Sequence, residues 1–144
     1  MSQNLVDASA FLTLIKKAPV QTAAECLKQS KILDLTFYEV GNGIWKESEL
    51  TKFLTPDQAK TLEKVAETIL ARMVWITTAP QAFNEILNIA KSEKLTFYDA
   101  SYIFFAKQEG VKLITEDKKL RVKAQRHVQV ETVATLIQQG DKKE

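Results

Sequence analysis

Gly110-Val111-Lys112-Leu113-Ile114-Thr115-Glu116-Asp117-Lys118-Lys119-Leu120 contains a glycine that stops one helix, a short apolar strand, and an acid that opens the next helix. The same order of signals stands at Leu5-Val6-Asp7, ahead of a helix over 8–17 with Ala10, Phe11, Leu14 and Ile15 at helical spacing and Pro19 as its stop. A second helix is expected over 21–30. Ile32-Leu33-Asp34-Leu35 predicts a strand ending where Thr36 starts a helix toward Phe53, weakened by Gly41 and Gly43. Thr55-Pro56-Asp57 opens a helix with an apolar stripe of Leu62, Val65, Ala66, Ile69 and Leu70, and Met73-Val74-Trp75-Ile76 is the strand after it. Helices are expected over 80–93, 96–108, 117–125 and 132–139, with a last strand over 127–130 and a polar, frayed tail over 140–144. Strands that alternate with helices predict an α/β fold in one domain over 1–139, a small parallel sheet covered by helices on both faces.

The chain has 144 residues, 45% hydrophobic and 26% charged, enough for one core without disulfides or a structural metal. Its net charge of +2 is too mild to select a partner. Cys26 is the only cysteine, which excludes an internal disulfide framework and a thiolate zinc site. Met1-Ser2-Gln3-Asn4 lacks the basic start of a signal peptide, and no apolar run approaches a membrane span, so a soluble cytoplasmic protein with no membrane partner is expected.

Four acids, Asp7, Glu39, Asp99 and Asp117, stand at or just inside helix starts. Each is explained singly by capping: Thr36-x-x-Glu39 and Thr96-x-x-Asp99 match the capping box, and Asp7 and Asp117 are ordinary N-caps. In a parallel sheet, however, strand ends and helix starts gather on one side, so all four acids face a common crevice. Converging carboxylates repel unless a cation binds. Oxygen donors without histidine or thiolate suit Mg²⁺ or Mn²⁺, which bridge carboxylates to a phosphate-containing substrate.

Ser9, Asn42 and Thr115 lie where a hydroxyl or amide could orient these carboxylates, although helix-end caps use the same residue types. Lys118, Lys119, Arg121, Lys123 and Arg126 crowd the segment after Asp117 and read either as phosphate contacts or as a solvated helix face. His127 has no evident partner and reads as structural, and Glu116 as solvent-facing. The segment Leu35-Thr36-Phe37-Tyr38-Glu39 returns as Leu95-Thr96-Phe97-Tyr98-Asp99, two similar helix starts rather than a duplicated unit.

Leu5-Val6-Asp7-Ala8-Ser9, Leu35-Thr36-Phe37-Tyr38-Glu39-Val40-Gly41-Asn42, Leu95-Thr96-Phe97-Tyr98-Asp99-Ala100 and Leu113-Ile114-Thr115-Glu116-Asp117-Lys118-Lys119-Leu120 follow one another in the order that resembles the PIN domain family, most closely the ribonuclease toxins of VapBC toxin–antitoxin pairs. The resemblance implies a five-stranded parallel sheet in a three-layer, Rossmann-like sandwich. It also implies Mg²⁺- or Mn²⁺-dependent cleavage of single-stranded RNA, homodimerisation and inhibition by a cognate antitoxin. It makes Asp7, Glu39, Asp99 and Asp117 the catalytic and metal-binding quartet, with Ser9 and Thr115 as supporting hydroxyls. The rival expectation is a non-catalytic scaffold of the same fold that binds RNA or protein. A receiver-type signalling domain shares the layout, but the spacing in this chain does not supply the phosphoacceptor Asp at a central strand end with its partnering Lys.

Overall fold

Val6, Ile32 and Ile114 face one side of a sheet while Leu5, Leu33 and Leu113 face the other, and all six are buried. This period-two alternation of apolar residues on both faces is the mark of a strand set covered by helices above and below. The computed structural model describes residues 3–141. Five strands, β1 (Asn4–Val6), β2 (Ser30–Leu33), β3 (Val74–Ile76), β4 (Lys112–Ile114) and β5 (Val130–Glu131), pair in parallel in the order β3-β2-β1-β4-β5.

The helices are α1 (Ala8–Lys17), α2 (Val20–Lys28), α3 (Asp34–Trp45), α4 (Pro56–Leu70), α5 (Phe83–Glu93), α6 (Phe97–Glu109), α7 (Lys118–Ala124) and α8 (Val133–Asp141). On the Val6 face, Phe11 and Leu14 of α1, Leu27 of α2, Leu62 and Ile69 of α4 and Leu136 of α8 complete one core. On the Leu5 face, Ile86 of α5, Ile103 and Phe105 of α6 and Leu120 of α7 complete the other. Each fully buried side chain of this size stabilises the fold by about 1.5–3 kcal/mol. The three-layer α/β arrangement expected from the sequence is therefore present.

The chain builds β1, β2 and β3 outward in one direction, then returns to place β4 and β5 on the other side of β1. The crevice beyond the carboxyl ends of β1 and β4 is thus a topological switch point, where open α/β sheets bind ligands. Asp7 follows β1 and Thr115 to Asp117 follow β4.

Several element boundaries differ from the sequence expectation. The second strand stops at Leu33 and α3 begins at Asp34, because Asp34 Oδ1 accepts the Leu35 N–H at 2.9 Å and Thr36 Oγ1 accepts the Leu33 N–H at 3.1 Å. Asp34 also receives the Thr78 hydroxyl at 2.6 Å. The helix expected to reach Phe53 ends at Trp45 and continues as a π-helical turn, Lys46–Leu50. The last strand is Val130–Glu131, not 127–130, since His127 is held in a turn by its N–H bond to the Ala124 carbonyl at 2.9 Å. Helix α8 runs on to Asp141 and so includes the first two residues of the tail expected to fray from Gly140; the other three tail residues lie outside the described residues.

Candidate active site

Asp7 is buried, 5% exposed, at the point where β1 becomes α1. One carboxylate oxygen, Oδ1, accepts the Ala10 N–H at 2.9 Å, the N-cap bond, and the Ser9 hydroxyl at 2.7 Å. The other, Oδ2, accepts the Thr115 hydroxyl at 2.5 Å. Thr115 Oγ1 accepts the Asp117 N–H at 3.1 Å, and Ser9 Oγ accepts the Glu116 N–H at 3.0 Å. Burial pushes the Asp7 carboxyl up to about 6; the bonds from Thr115, Ala10 and Ser9 oppose the rise, and the nearby Glu39 carboxylate adds to it. Desolvation outweighs three hydrogen bonds here.

Glu39 is held from the opposite face of the crevice. Tyr102, buried in α6, donates its hydroxyl proton to Glu39 Oε1 at 2.7 Å, and Thr36 Oγ1 lies 2.8 Å from the same phenolic oxygen. Because Tyr102 spends its one proton on Glu39, Thr36 must donate to Tyr102, and the Leu33 N–H supplies the bond that Thr36 accepts. The result is a directed relay from the end of β2 to the Glu39 carboxylate. Burial raises Glu39, the Tyr102 bond lowers it, and Asp99 raises it again. Burial and the adjacent Glu39 keep Tyr102 well above the ordinary phenol range.

Asp99 lies in the first turn of α6, where Thr96 caps the helix by accepting the Asp99 N–H at 3.1 Å. Its carboxyl is raised by burial and by Asp117, and lowered by Lys119. Asp117 is the exposed N-cap of α7, accepting the Leu120 N–H at 3.0 Å. The four acids therefore form a run of electrostatic neighbours, Asp7 to Glu39 to Asp99 to Asp117. Each acid of the run is linked to the next, in pairs. Among the described residues, no three His, Cys, Asp or Glu side chains are grouped tightly enough to hold an ion as they stand. None of the four acids has a basic side chain within ion-pair distance among the described residues. An all-oxygen set, in which Asp7, Glu39 and Asp99 are raised by burial and by a neighbouring carboxylate, fits a hard divalent cation, which relieves both costs.

Thr36 is the third residue of α3 and not its N-cap, and Glu39 lies in the second turn, bound by Tyr102; the capping-box explanation of Glu39 is thereby excluded. Asn42 is exposed and lines the groove between α3 and α4. Lys118 and Lys119 are exposed and Arg121 is half-buried on α7. Lys123 departs from the expectation of a phosphate contact: its ammonium donates to the main-chain carbonyls of Glu93 at 2.5 Å and Lys94 at 3.3 Å. His127 has a partner after all, Glu93 Oε2 at 2.6 Å from Nε2, and this bond helps to hold the Glu93 carboxyl below the usual range. Glu116 is not solvent-facing; its Oε2 accepts the Val133 N–H at 3.1 Å and so caps α8. Tyr102 and Thr36 escaped the sequence reading because an aromatic at helical spacing reads as core, and a threonine near a helix start reads as a cap.

Comparison with known proteins agrees with this layout. The model of the PIN domain matches residues 5–125. The chain is 36% identical over 129 residues to a Pyrobaculum aerophilum protein named Exonuclease VapC9, covering 90% of this chain and 91% of that one. It is 28% identical over 123 residues to Ribonuclease VapC3 of the same organism, covering 83% and 92%. Among solved structures, PAE2754 from Pyrobaculum aerophilum superposes with a TM-score of 0.80 at 30% identity, over 96% of this chain and 88% of that one. FitAcB from Neisseria gonorrhoeae has a TM-score of 0.60 at 18% identity, over 91% and 98%, a likeness of fold. The acids at the switch point thus sit in a frame already met in the VapC proteins, and the chain belongs to the PIN domain family as a VapC-type member.

Proposed function

We propose that this chain is a divalent-metal-dependent endoribonuclease that hydrolyses phosphodiester bonds of single-stranded RNA, as the toxin of a toxin–antitoxin pair. The observation that carries the reading is the run of four carboxylates at the switch point, three of them raised by burial and by one another. Asp7, Glu39, Asp99 and Asp117 would hold Mg²⁺ or Mn²⁺. When bound, such an ion activates water and neutralises charge developing on a phosphodiester.

The chain's own residues hold that site in shape. Ser9, Ala10 and Thr115 fix both oxygens of Asp7, and Tyr102 aims Glu39. Lys118, Lys119 and Arg121 offer charge to backbone phosphates beside the acids, and Lys119 acts on Asp99 directly. His127 is engaged by Glu93, so no histidine is spared for a nucleophile pair with the acids. The names Exonuclease VapC9 and Ribonuclease VapC3 support nuclease chemistry.

The antitoxin would enter the groove of about 700 Å³ between α3 and α4, where Phe37, Tyr38, Trp45 and Trp75 remain 42–70% exposed beside Ala66 and Leu70. An apolar groove of this kind takes the apolar face of a partner helix. A homodimer working in the reduced cytoplasm completes the proposal; no helix among the described residues is long and apolar enough to cross a membrane. The scaffold reading draws on Asp7 and Asp117 as genuine N-caps. Circular single-stranded RNA separates the readings: an endonuclease linearises it, an exonuclease acts only on the linear form, and a scaffold cuts neither.

A further inference from the structure

Glu93, the last residue of α5, is 8% exposed, and its carboxylate is gripped from both sides. Arg126 Nη1 donates to Oε1 at 2.7 Å, and His127 Nε2 lies 2.6 Å from Oε2. Lys123, from α7, donates to the Glu93 carbonyl at 2.5 Å and to the Lys94 carbonyl at 3.3 Å. Lys94 caps α5 with a φ of 57°, a left-handed conformation that a residue with a β-carbon adopts only where its surroundings impose it. Three anchor points on the α7 side, Lys123, Arg126 and His127, therefore converge on one strained helix end.

Both ends of this clamp lead to carboxylates of the candidate site. Lys94 begins the short turn into α6, whose cap Thr96 holds the Asp99 N–H at 3.1 Å. Helix α7, which carries Lys123, starts from Asp117, whose carboxylate holds the Leu120 N–H at 3.0 Å. Asp99 and Asp117 repel each other, so something must fix the two helix starts against that repulsion.

We propose that Glu93, gripped by Arg126 and His127, is a positioning residue: it fastens the end of α7 to the α5–α6 turn and thereby sets the spacing of Asp99 and Asp117. Its consequence for metal binding rests on the metal-site reading above; its structural consequence does not. The clamp also commits the Lys123 ammonium to main-chain carbonyls, leaving Lys118, Lys119 and Arg121 to meet RNA.

The test combines amide exchange of the metal-free full chain with titration by Mn²⁺ alone, on wild type, His127→Leu, His127→Gln and Arg126→Ala. In His127→Leu, exchange at Asp99 and Leu120 rises while α1 stays protected, and Mn²⁺ affinity falls by about tenfold, the usual cost of losing a group that orients metal ligands. His127→Gln, which keeps an N–H for Glu93, restores both to near wild type. Arg126→Ala, at a largely exposed side chain, shows the same local exchange to a smaller degree and keeps the test open if the leucine variant does not fold. Exchange that rises equally across α1, α6 and α7, or not at all, overturns the proposal, as does wild-type Mn²⁺ affinity in the leucine variant. A wild type that binds no Mn²⁺ defeats the metal-site reading, and the exchange pattern then decides the clamp by itself.

Discussion

Thr115 donates its hydroxyl to Asp7 Oδ2 at 2.5 Å, joining residues 108 apart across the adjacent strands β1 and β4. Thr115 Oγ1 in turn accepts the Asp117 N–H at 3.1 Å, so one buried hydroxyl ties two of the four acids together. Thr115→Val keeps the shape and removes both bonds. It is expected to destabilise the metal-free protein by about 1–3 kcal/mol, because buried partners are left unpaired, whereas Thr115→Ser stays within about 1 kcal/mol. Urea unfolding of the two variants checks this.

Burial holds the Asp7 carboxyl at about 6 in the folded protein, against 3.8 for an ordinary aspartate. A raised carboxyl stabilises the fold while it is protonated, so its contribution is fully present below about pH 4 and is lost as pH rises through about 6. The difference corresponds to about 3 kcal/mol at most. Between pH 7 and pH 5, then, this group makes the metal-free protein more stable, and Asp7→Asn at pH 7 gains about 1–3 kcal/mol and flattens the pH dependence. Urea titrations at pH 5, 6 and 7 on both proteins measure it; a variant less stable than wild type at pH 7 would count against buried, uncompensated charge.

Tyr102→Phe deletes the donor to Glu39 and leaves the buried Thr36 hydroxyl without its acceptor. A loss of about 1–3 kcal/mol is expected, together with weaker stabilisation by added Mn²⁺ because Glu39 is no longer aimed. Thermal melts with and without Mn²⁺ separate the two effects. A variant that melts like wild type in both conditions would show that the relay is idle.

Lys119 and Lys123 stand four residues apart on α7, and Lys123 is bound to main-chain carbonyls while Lys119 is exposed. Lys119→Ala should raise KM for RNA and reduce the salt dependence of binding by a slope of about 0.7, the value for one phosphate contact on a single strand. Lys123→Ala should leave that slope unchanged and instead loosen the α5–α6 turn, since its ammonium is committed to the Glu93 and Lys94 carbonyls. RNA binding measured across a series of salt concentrations distinguishes them.

The parallel sheet and its helices were legible because the signals are local: Leu5-Val6-Asp7, Leu113-Ile114 and the glycine cap Gly110, whose φ of 66° needs no β-carbon accommodated, each carry their own punctuation. The four acids were legible by the same local rule, each standing near a helix start. What was not legible depends on partners distant in sequence. Glu93 recruits Arg126 and His127 from more than thirty residues away, Glu116 reaches the start of α8, and Tyr102 reaches Glu39 over 63 positions. No periodicity encodes such pairings. The β2–α3 boundary slipped for a related reason: the Thr36 hydroxyl serves the Leu33 N–H and Tyr102 from inside the helix rather than from its N-cap position.

We propose that Asp7, Glu39, Asp99 and Asp117 act as one divalent-metal site for RNA hydrolysis. The most direct measurement is cleavage of single-stranded RNA against Mn²⁺ concentration by wild type and Asp99→Asn purified in parallel, with a chelator control. Cleavage is expected to rise with Mn²⁺ in wild type, to vanish in chelator, and to fall by at least about 100-fold in Asp99→Asn, a loss of about 2.7 kcal/mol or more in transition-state stabilisation. Cleavage that persists in chelator, or that is unchanged in Asp99→Asn, would contradict it.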